Sequence, residues 1–391
     1  MKSQALLLLI FSTLVYLFAS NTIAAETAAT PEASTAKNTK HTSPEAVKQK
    51  LEATVLNQNL TLEKRIKALK NLLSDQMTSG KLPRTFCIWD PLGNNGPVAA
   101  AAKDQVLRSL HYGMQLSIEV FQDEESLVDT FITGDTCDAM LVRGTTAHRF
   151  NAFLATTEAP GALPDRQHLQ LLSQLLTRPQ LIEYMTDGPY VALGLVPVGS
   201  HYLYAESADL ASVKAIQGNS VSVPASDTGV IRLIESAGGR ARPGVLPAAV
   251  QTFTDNLSSM MIAPEIAYLT MATGRTGKNS RALKLPIAQS TLQLIGRTDR
   301  FPPGLAQILR EDFLFKFNSY AQRLEQEQNN IPAQFWINPT TTDLKALEEF
   351  SQKIRIAMRE EGYYNPVMLR LARKIRCRFN PDKKECSAQL E

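Results

Sequence analysis

The chain has 391 residues, with 41 Lys and Arg against 38 Asp and Glu and a formal net charge of +3. So small a positive surplus, with no window in which aromatics interleave with basic residues, excludes the electrostatic footprint of a nucleic-acid binder. With 44% hydrophobic residues, the chain is apolar enough to fold and long enough for two domains with their own cores.

Lys2 precedes an apolar run over residues 5–18, and the small residues Thr22, Ala24 and Ala25 follow. That order is the order of a secretory signal peptide. Residues 1–25 are therefore expected to be cleaved after Ala24 or Ala25, leaving a soluble periplasmic protein. A retained anchor is the alternative; it needs about 20 apolar residues, and Ser12, Thr13 and Ser20 interrupt this run. Residues 26–42, rich in Ala, Thr, Pro, Ser and Lys, read as a disordered linker. Ser43, Pro44 and Glu45 then form a helix start. Val47, Leu51 and Val55, then Leu62, Ile66, Leu69 and Leu72, predict a two-helix arm over 43–80. It is expected to pack on its own body, with pairing to another subunit as the alternative.

From residue 84 the pattern is strand 85–90, helix 97–112, strand 116–121, helix 124–133 and a strand from Cys137, which predicts a parallel sheet with right-handed crossovers. Helix is expected over 168–185. A second β-α-β unit follows with strands 220–223, 241–245 and 260–263. The long extended segments 189–204 and 285–296 read as strands crossing between two lobes. The expected architecture is thus α/β and two-lobed, with parallel-type sheets, long crossover strands and C-terminal helices. Lobe 1 takes 84–203 plus 287–340, lobe 2 takes 204–286, and 341–391 form the C-terminal helices with a disulfide-closed tail. Two separate sheets flanking an open crevice are expected.

Four cysteines in an exported chain read as two disulfides. Cys377 and Cys386 flank a short polar loop, and Cys87 and Cys137 sit at the start of apolar runs that become neighbours if the strands pair. No metal and no cofactor are expected, since no CxxC pair exists and no histidine stands within four residues of a cysteine. The basic cluster Arg370, Arg373, Lys374, Arg376 and Arg378 reads as a solvated helix face.

In parallel α/β sheets, ligands lie beyond the carboxyl ends of the strands. The candidate ligand-binding residues are therefore Trp89, Asp90, Asn94, Asn95 and Gly96 after the first strand, and Arg143 and Thr145 after the third. In the second unit they are Ser222, Ser226, Asp227, Thr228, Glu265 and Tyr268. Tyr190 and Trp89 are candidates to stack on a solute. Helix capping is the plain alternative for Ser226, Asp227 and Thr228, and a surface position for Arg143. Catalytic motifs are missing: there is no GxSxG, HExxH or GxxxxGK[ST], and Gly274 to Lys278 reads as a basic loop. His148 reads as a solvated helix residue. Asp90 with Asp227 is the one carboxylate pair an enzyme reading would use.

Asp209-Leu210, Gly218-Asn-Ser-Val-Ser-Val-Pro224 and Met261-Ile-Ala-Pro-Glu-Ile-Ala-Tyr268 resemble the second lobe of solute-binding proteins of tripartite ATP-independent periplasmic (TRAP) transporters. A narrower resemblance, to AdeT-like solute-binding proteins, rests on several segments. They are Cys87-Ile-Trp-Asp-Pro-Leu-Gly-Asn-Asn-Gly-Pro97, Cys137-Asp-Ala-Met, Gly161-Ala-Leu-Pro164, Ile331-Pro-Ala-Gln-Phe-Trp336 and Ile375-Arg-Cys377 with Glu385-Cys386-Ser387. The resemblance implies a type II periplasmic-binding-protein-like fold and a non-enzymatic protein that captures a small molecule between its lobes for a membrane transporter; one continuous sheet, or a crevice with no space for a metabolite, is expected to overturn that reading. It also marks two departures. The arginine that such proteins place in the first strand of lobe 2 is Ser222 here, and an acidic residue before the third strand is Ser259. An envelope interaction or sensory protein with a vestigial cleft is the alternative function, and a hydrolase or lyase on a bilobed scaffold the second.

Overall fold

An apolar strand followed by an amphipathic helix has one economical return path, and two runs of that pattern set the architecture. The computed structural model describes residues 43–271, 279–329, 331–388 and 390–391; the expected signal peptide, the linker and the basic loop 274–278 lie outside them. The arm is α1 (Pro44–Leu56) and α2 (Leu62–Leu72). In the first run, β1 (Leu82–Trp89), β2 (Met114–Phe121) and β3 (Ala139–Arg143) are parallel and joined by α3 (Pro97–Ser109) and α4 (Glu124–Thr133). The short helices α5 (Gly144–Ala147) and α6 (Ala152–Ala155), then α7 (Arg166–Leu176) and β4 (Thr186–Asp187), lead to β5 (Tyr190–Ala205). The second run is β6 (Ser220–Pro224), α8 (Thr228–Ser236), β7 (Arg240–Gly244), α9 (Leu246–Thr254), β8 (Met260–Pro264) and α10 (Ala267–Met271). The chain returns through β9 (Arg281–Arg297) and ends with α11 (Pro303–Gln328), β10 (Trp336–Ile337), α12 (Thr341–Glu360), α13 (Pro366–Phe379) and α14 (Lys384–Ala388).

The ladder is continuous, in the order β2-β1-β3-β9-β5-β8-β6-β7, against the expectation of two separate sheets. The reason is length: β5 and β9, at 16 and 17 residues, pair with each other antiparallel and with both half-sheets. Their pairing carries register shifts between Ala192 and Gly194, Pro197 and Ser200, and His201 and Leu203. Each shift bends the ladder and increases its twist, so the two parallel triads form two lobes while sharing strands, and the single continuous sheet does not overturn the transport reading, against the expectation from the sequence. Ile88, Val142, Leu195 and Ile295 are buried in the first half and Val221, Met261 and Ile262 in the second, each contributing about 1.5–3 kcal/mol.

The arm packs on its own body. Val55 and Leu69 are buried, the Arg65 guanidinium holds the Val55 carbonyl and the Glu311 carboxylate of α11, and Gln58 donates to Thr177 and Glu311. Removing residues 43–80 would therefore open core surface. The basic face of α13 is only partly solvated: Arg373 and Arg376 are buried.

Both expected disulfides form. Cys87 is bonded to Cys137 and Cys377 to Cys386, with Cα atoms 5.6 Å apart in each pair. The first spans 50 residues and the second nine; in the chain-entropy model they constrain the unfolded chain by about 4 and about 2.5 kcal/mol. Urea denaturation of Cys87→Ala/Cys137→Ala should therefore show a larger loss than Cys377→Ala/Cys386→Ala. Equal losses would contradict the loop-length account.

Candidate functional site

The turn after β1 is built around one carboxylate. Asp90 is fully buried and accepts from the backbone N–H groups of Leu92 (3.0 Å), Val98 (2.8 Å) and Ala99 (3.0 Å). It therefore satisfies the open amides at the start of α3. A Cβ on Gly96 would lie 1.9 Å from its Oδ1, which explains glycine there. Asp90 and Gly96 are occupied by this cap rather than turned to a solute. Asn94 and Asn95 are exposed on the turn, and the residues that reach inward are Pro97 and Val98.

Arg143, at the tip of β3, is held by Glu124 in the first turn of α4. Its backbone N–H, Nε and Nη2 all donate to that carboxylate, at 2.8, 2.9 and 2.5 Å. Burial alone would lower its pKa, but the charges of Glu124 and Asp227 hold it above its ordinary value. Its guanidinium lies 5.3 Å from the Trp89 ring centre, and Trp89 Nε1 donates to the Gln122 carbonyl. Nη1 is buried without a hydrogen-bond partner.

Across from Arg143, Thr145 Oγ1 donates to Ser226 Oγ at 3.1 Å, joining the tip of the first triad to the turn after β6. Ser226 in turn donates to Asp227. The Asp227 carboxylate meets His201 Nε2 at 2.7 Å, and His201 Nδ1 meets Ser290 Oγ at 2.9 Å. Burial pushes the Asp227 pKa upward, yet His201 and Arg143 hold it below its ordinary value. Glu158, also buried, accepts from the N–H and hydroxyl of Thr291, and burial raises its pKa to about 7 despite those bonds. Thr228 and the half-buried His148 border the same cluster. His148 is not the solvated residue expected: it stacks on Tyr363 at 3.9 Å and its Nε2 meets the Tyr363 carbonyl. The free space here is about 20 Å³, room for about one water.

Space for a solute opens on the other face of β9. Side chains alternate across a strand, so Thr291 and Gln293 face the polar cluster while Leu292 and Leu294 face a cavity of about 160 Å³. Its floor is Ile88 and Leu141, one wall is Val98 and Ala102 of α3, and another is Phe313 and Tyr320 of α11. Val196–Val198 of β5 also line it, and Ile266 and Tyr268 beyond β8 close it from the second lobe. Glu265 reaches the same wall, its N–H donating to the Ser200 carbonyl and its Oε2 accepting from Gln328 at 2.8 Å.

Two expected residues lie elsewhere. Tyr190 pairs with Arg297, level with the start of β3 rather than its tip, and packs edge-on against Phe150 in the core. Ser222 is buried mid-strand and borders neither the cavity nor the polar cluster. Residues not anticipated are Glu158, His201 and Ser290, and the apolar walls. The polar run Gln289-Ser290-Thr291 within an otherwise apolar strand was the available signal.

A family model described as solute-binding protein AdeT 1/2 matches residues 111–391. A curated relative from Acinetobacter baumannii, "Probable solute-binding protein AdeT1", is 25% identical over 305 residues, covering 78% of this chain and 100% of the relative. Among solved structures, a TRAP periplasmic solute-binding protein from Desulfovibrio salexigens with bound orotic acid matches with a TM-score of 0.62 at 14% identity, over 76% of this chain and 99% of the other. One from Desulfovibrio desulfuricans with bound sn-glycerol-3-phosphate matches with a TM-score of 0.61 at 13% identity, over 75% and 97%.

Proposed function

The chain belongs to the AdeT 1/2 family of solute-binding proteins, and from that premise we propose that it holds its solute in the cavity between α3, α11 and the β8 end, delivers it to a membrane transporter, and does not transform it. The observation that carries this reading is that both lobes wall the cavity: Val98 and Leu141 from one, Ile266 and Tyr268 from the other. A solute that touches both lobes favours the closed arrangement over an open one. The β5 and β9 irregularities supply the place for such a motion. Periplasmic residence is supported by the apolar N-terminal run before small residues and by two disulfides. Among the described residues no helix is long and apolar enough to cross a membrane. Lobe 1 as residues 84–203 and 287–340, and lobe 2 as 204–286, remain the proposed division.

A hydrolytic reading has one specific observation in its favour, the hydroxyl–imidazole–carboxylate series Ser290, His201 and Asp227. All three are buried beside space for about one water, which leaves no position for a reacting carbonyl. Asp90, the other carboxylate considered, is consumed by its cap. We read the series as a clamp joining β5, β9 and the turn after β6. The test is native mass spectrometry of the purified full chain. A retained small molecule, released on denaturation, is the expected result. No adduct, together with no stabilisation by any member of a metabolite panel, would overturn the reading.

A further inference from the structure

We propose that the captured solute is a ring-sized, largely apolar molecule bearing no carboxylate or phosphate. This rests on the cavity being the binding site and narrows what it takes. A cavity of about 150 Å³ lined by aliphatic and aromatic side chains stays dry and admits benzene, and this one measures about 160 Å³. Val98, Ala102, Ile266, Leu292, Leu294 and Phe313 present carbon to its interior, so binding gain comes from apolar surface leaving water.

An anion in a low-dielectric site needs a cation or several donors, and among the described residues the cations near the cavity are engaged. Arg143 is chelated by Glu124 and is not among the residues that line the cavity. Arg323, which reaches the cavity rim, is more than half exposed and pairs with Asp104 at 3.2 Å. The charged group that the second lobe brings to the wall, Glu265, is a carboxylate. Orotate and sn-glycerol-3-phosphate, held by the two structural neighbours, are anions; this cavity is built for the opposite chemistry.

The experiment titrates the full chain with indole as the neutral ring probe, and with orotate and sn-glycerol-3-phosphate as anions, following melting temperature and calorimetric Kd. Indole is expected to raise the melting temperature with concentration and the anions to leave it unchanged. Ala102→Phe, which fills the cavity from α3, should weaken indole binding at least tenfold. If that variant melts lower by itself, Ile266→Phe tests the same volume from the opposite wall. An anion binding more tightly than indole overturns the proposal. If Ala102→Phe blocks that anion as well, the cavity remains the site and only the chemical class is wrong. Binding that neither variant affects removes the cavity as the site and takes the functional reading with it.

Discussion

Arg376→Met is expected to destabilise the protein by about 3 to 5 kcal/mol, the usual consequence of removing one partner from a buried ion cluster. Arg376 donates to both Glu385 and Glu391 and to the Ala162 carbonyl, while Arg355 donates to Glu391 and to the Pro160 carbonyl. All four side chains are at most 6% exposed. Met approximates the volume of the lost side chain but leaves Glu385 and Glu391 sharing one arginine. Burial would raise the Glu385 pKa, yet Arg376 and Arg355 hold it below the ordinary value. The stability this supplies is present above the unfolded carboxylate pKa and is lost as pH falls through the depressed folded value. Urea denaturation at pH 7 measures the loss. A change below about 1 kcal/mol, the range of an exposed pair, would show that the cluster is solvated.

That cluster also marks a limit of the sequence. Five basic residues over 370–378 looked like a solvated face because helical spacing spreads them around the circumference. What encloses Arg376 is the later chain folding back, Glu385 and Glu391, which no local pattern announces. The same logic separates the other outcomes. The β-α-β runs, the two crossing strands and both disulfides were legible because each depends on apolar period, turn residues or short spacing. Whether Asp90 faces a solute or its own helix depends on a side-chain rotamer and on Gly96 leaving room, and a polar turn at a strand tip looks the same either way. Tyr190 was misplaced because a long strand has two ends, and only its register against β9 tells which end meets the crevice. His201, Asp227 and Ser290 come from three separate segments. The cavity walls are Val, Leu, Ile and Phe, and a residue lining a void has no signature that distinguishes it from one filling a core.

Glu158→Gln should stabilise the protein in alkaline buffer and do little in acid. Glu158 is fully buried among Thr291, Asp227 and His201, and burial raises its pKa from 4.5 to about 7. The sign follows from proton binding: between those values the folded state keeps a proton that the unfolded state releases. Stability from this group is therefore greatest below about pH 4.5 and declines until the folded value is passed. The decline amounts to about 3 kcal/mol at about 1.4 kcal/mol per pH unit, an order of magnitude. Glutamine retains an oxygen to accept from the Thr291 N–H and never ionises. Wild type and variant should therefore have similar urea midpoints at pH 5, with the variant ahead by about 2 to 3 kcal/mol at pH 8. Asp227, depressed rather than raised, contributes the opposite slope at lower pH and is common to both proteins, so the difference between the curves isolates Glu158. Parallel curves from pH 5 to 8 would mean that Glu158 is already ionised and compensated, and that the polar side of β9 carries a fixed negative charge.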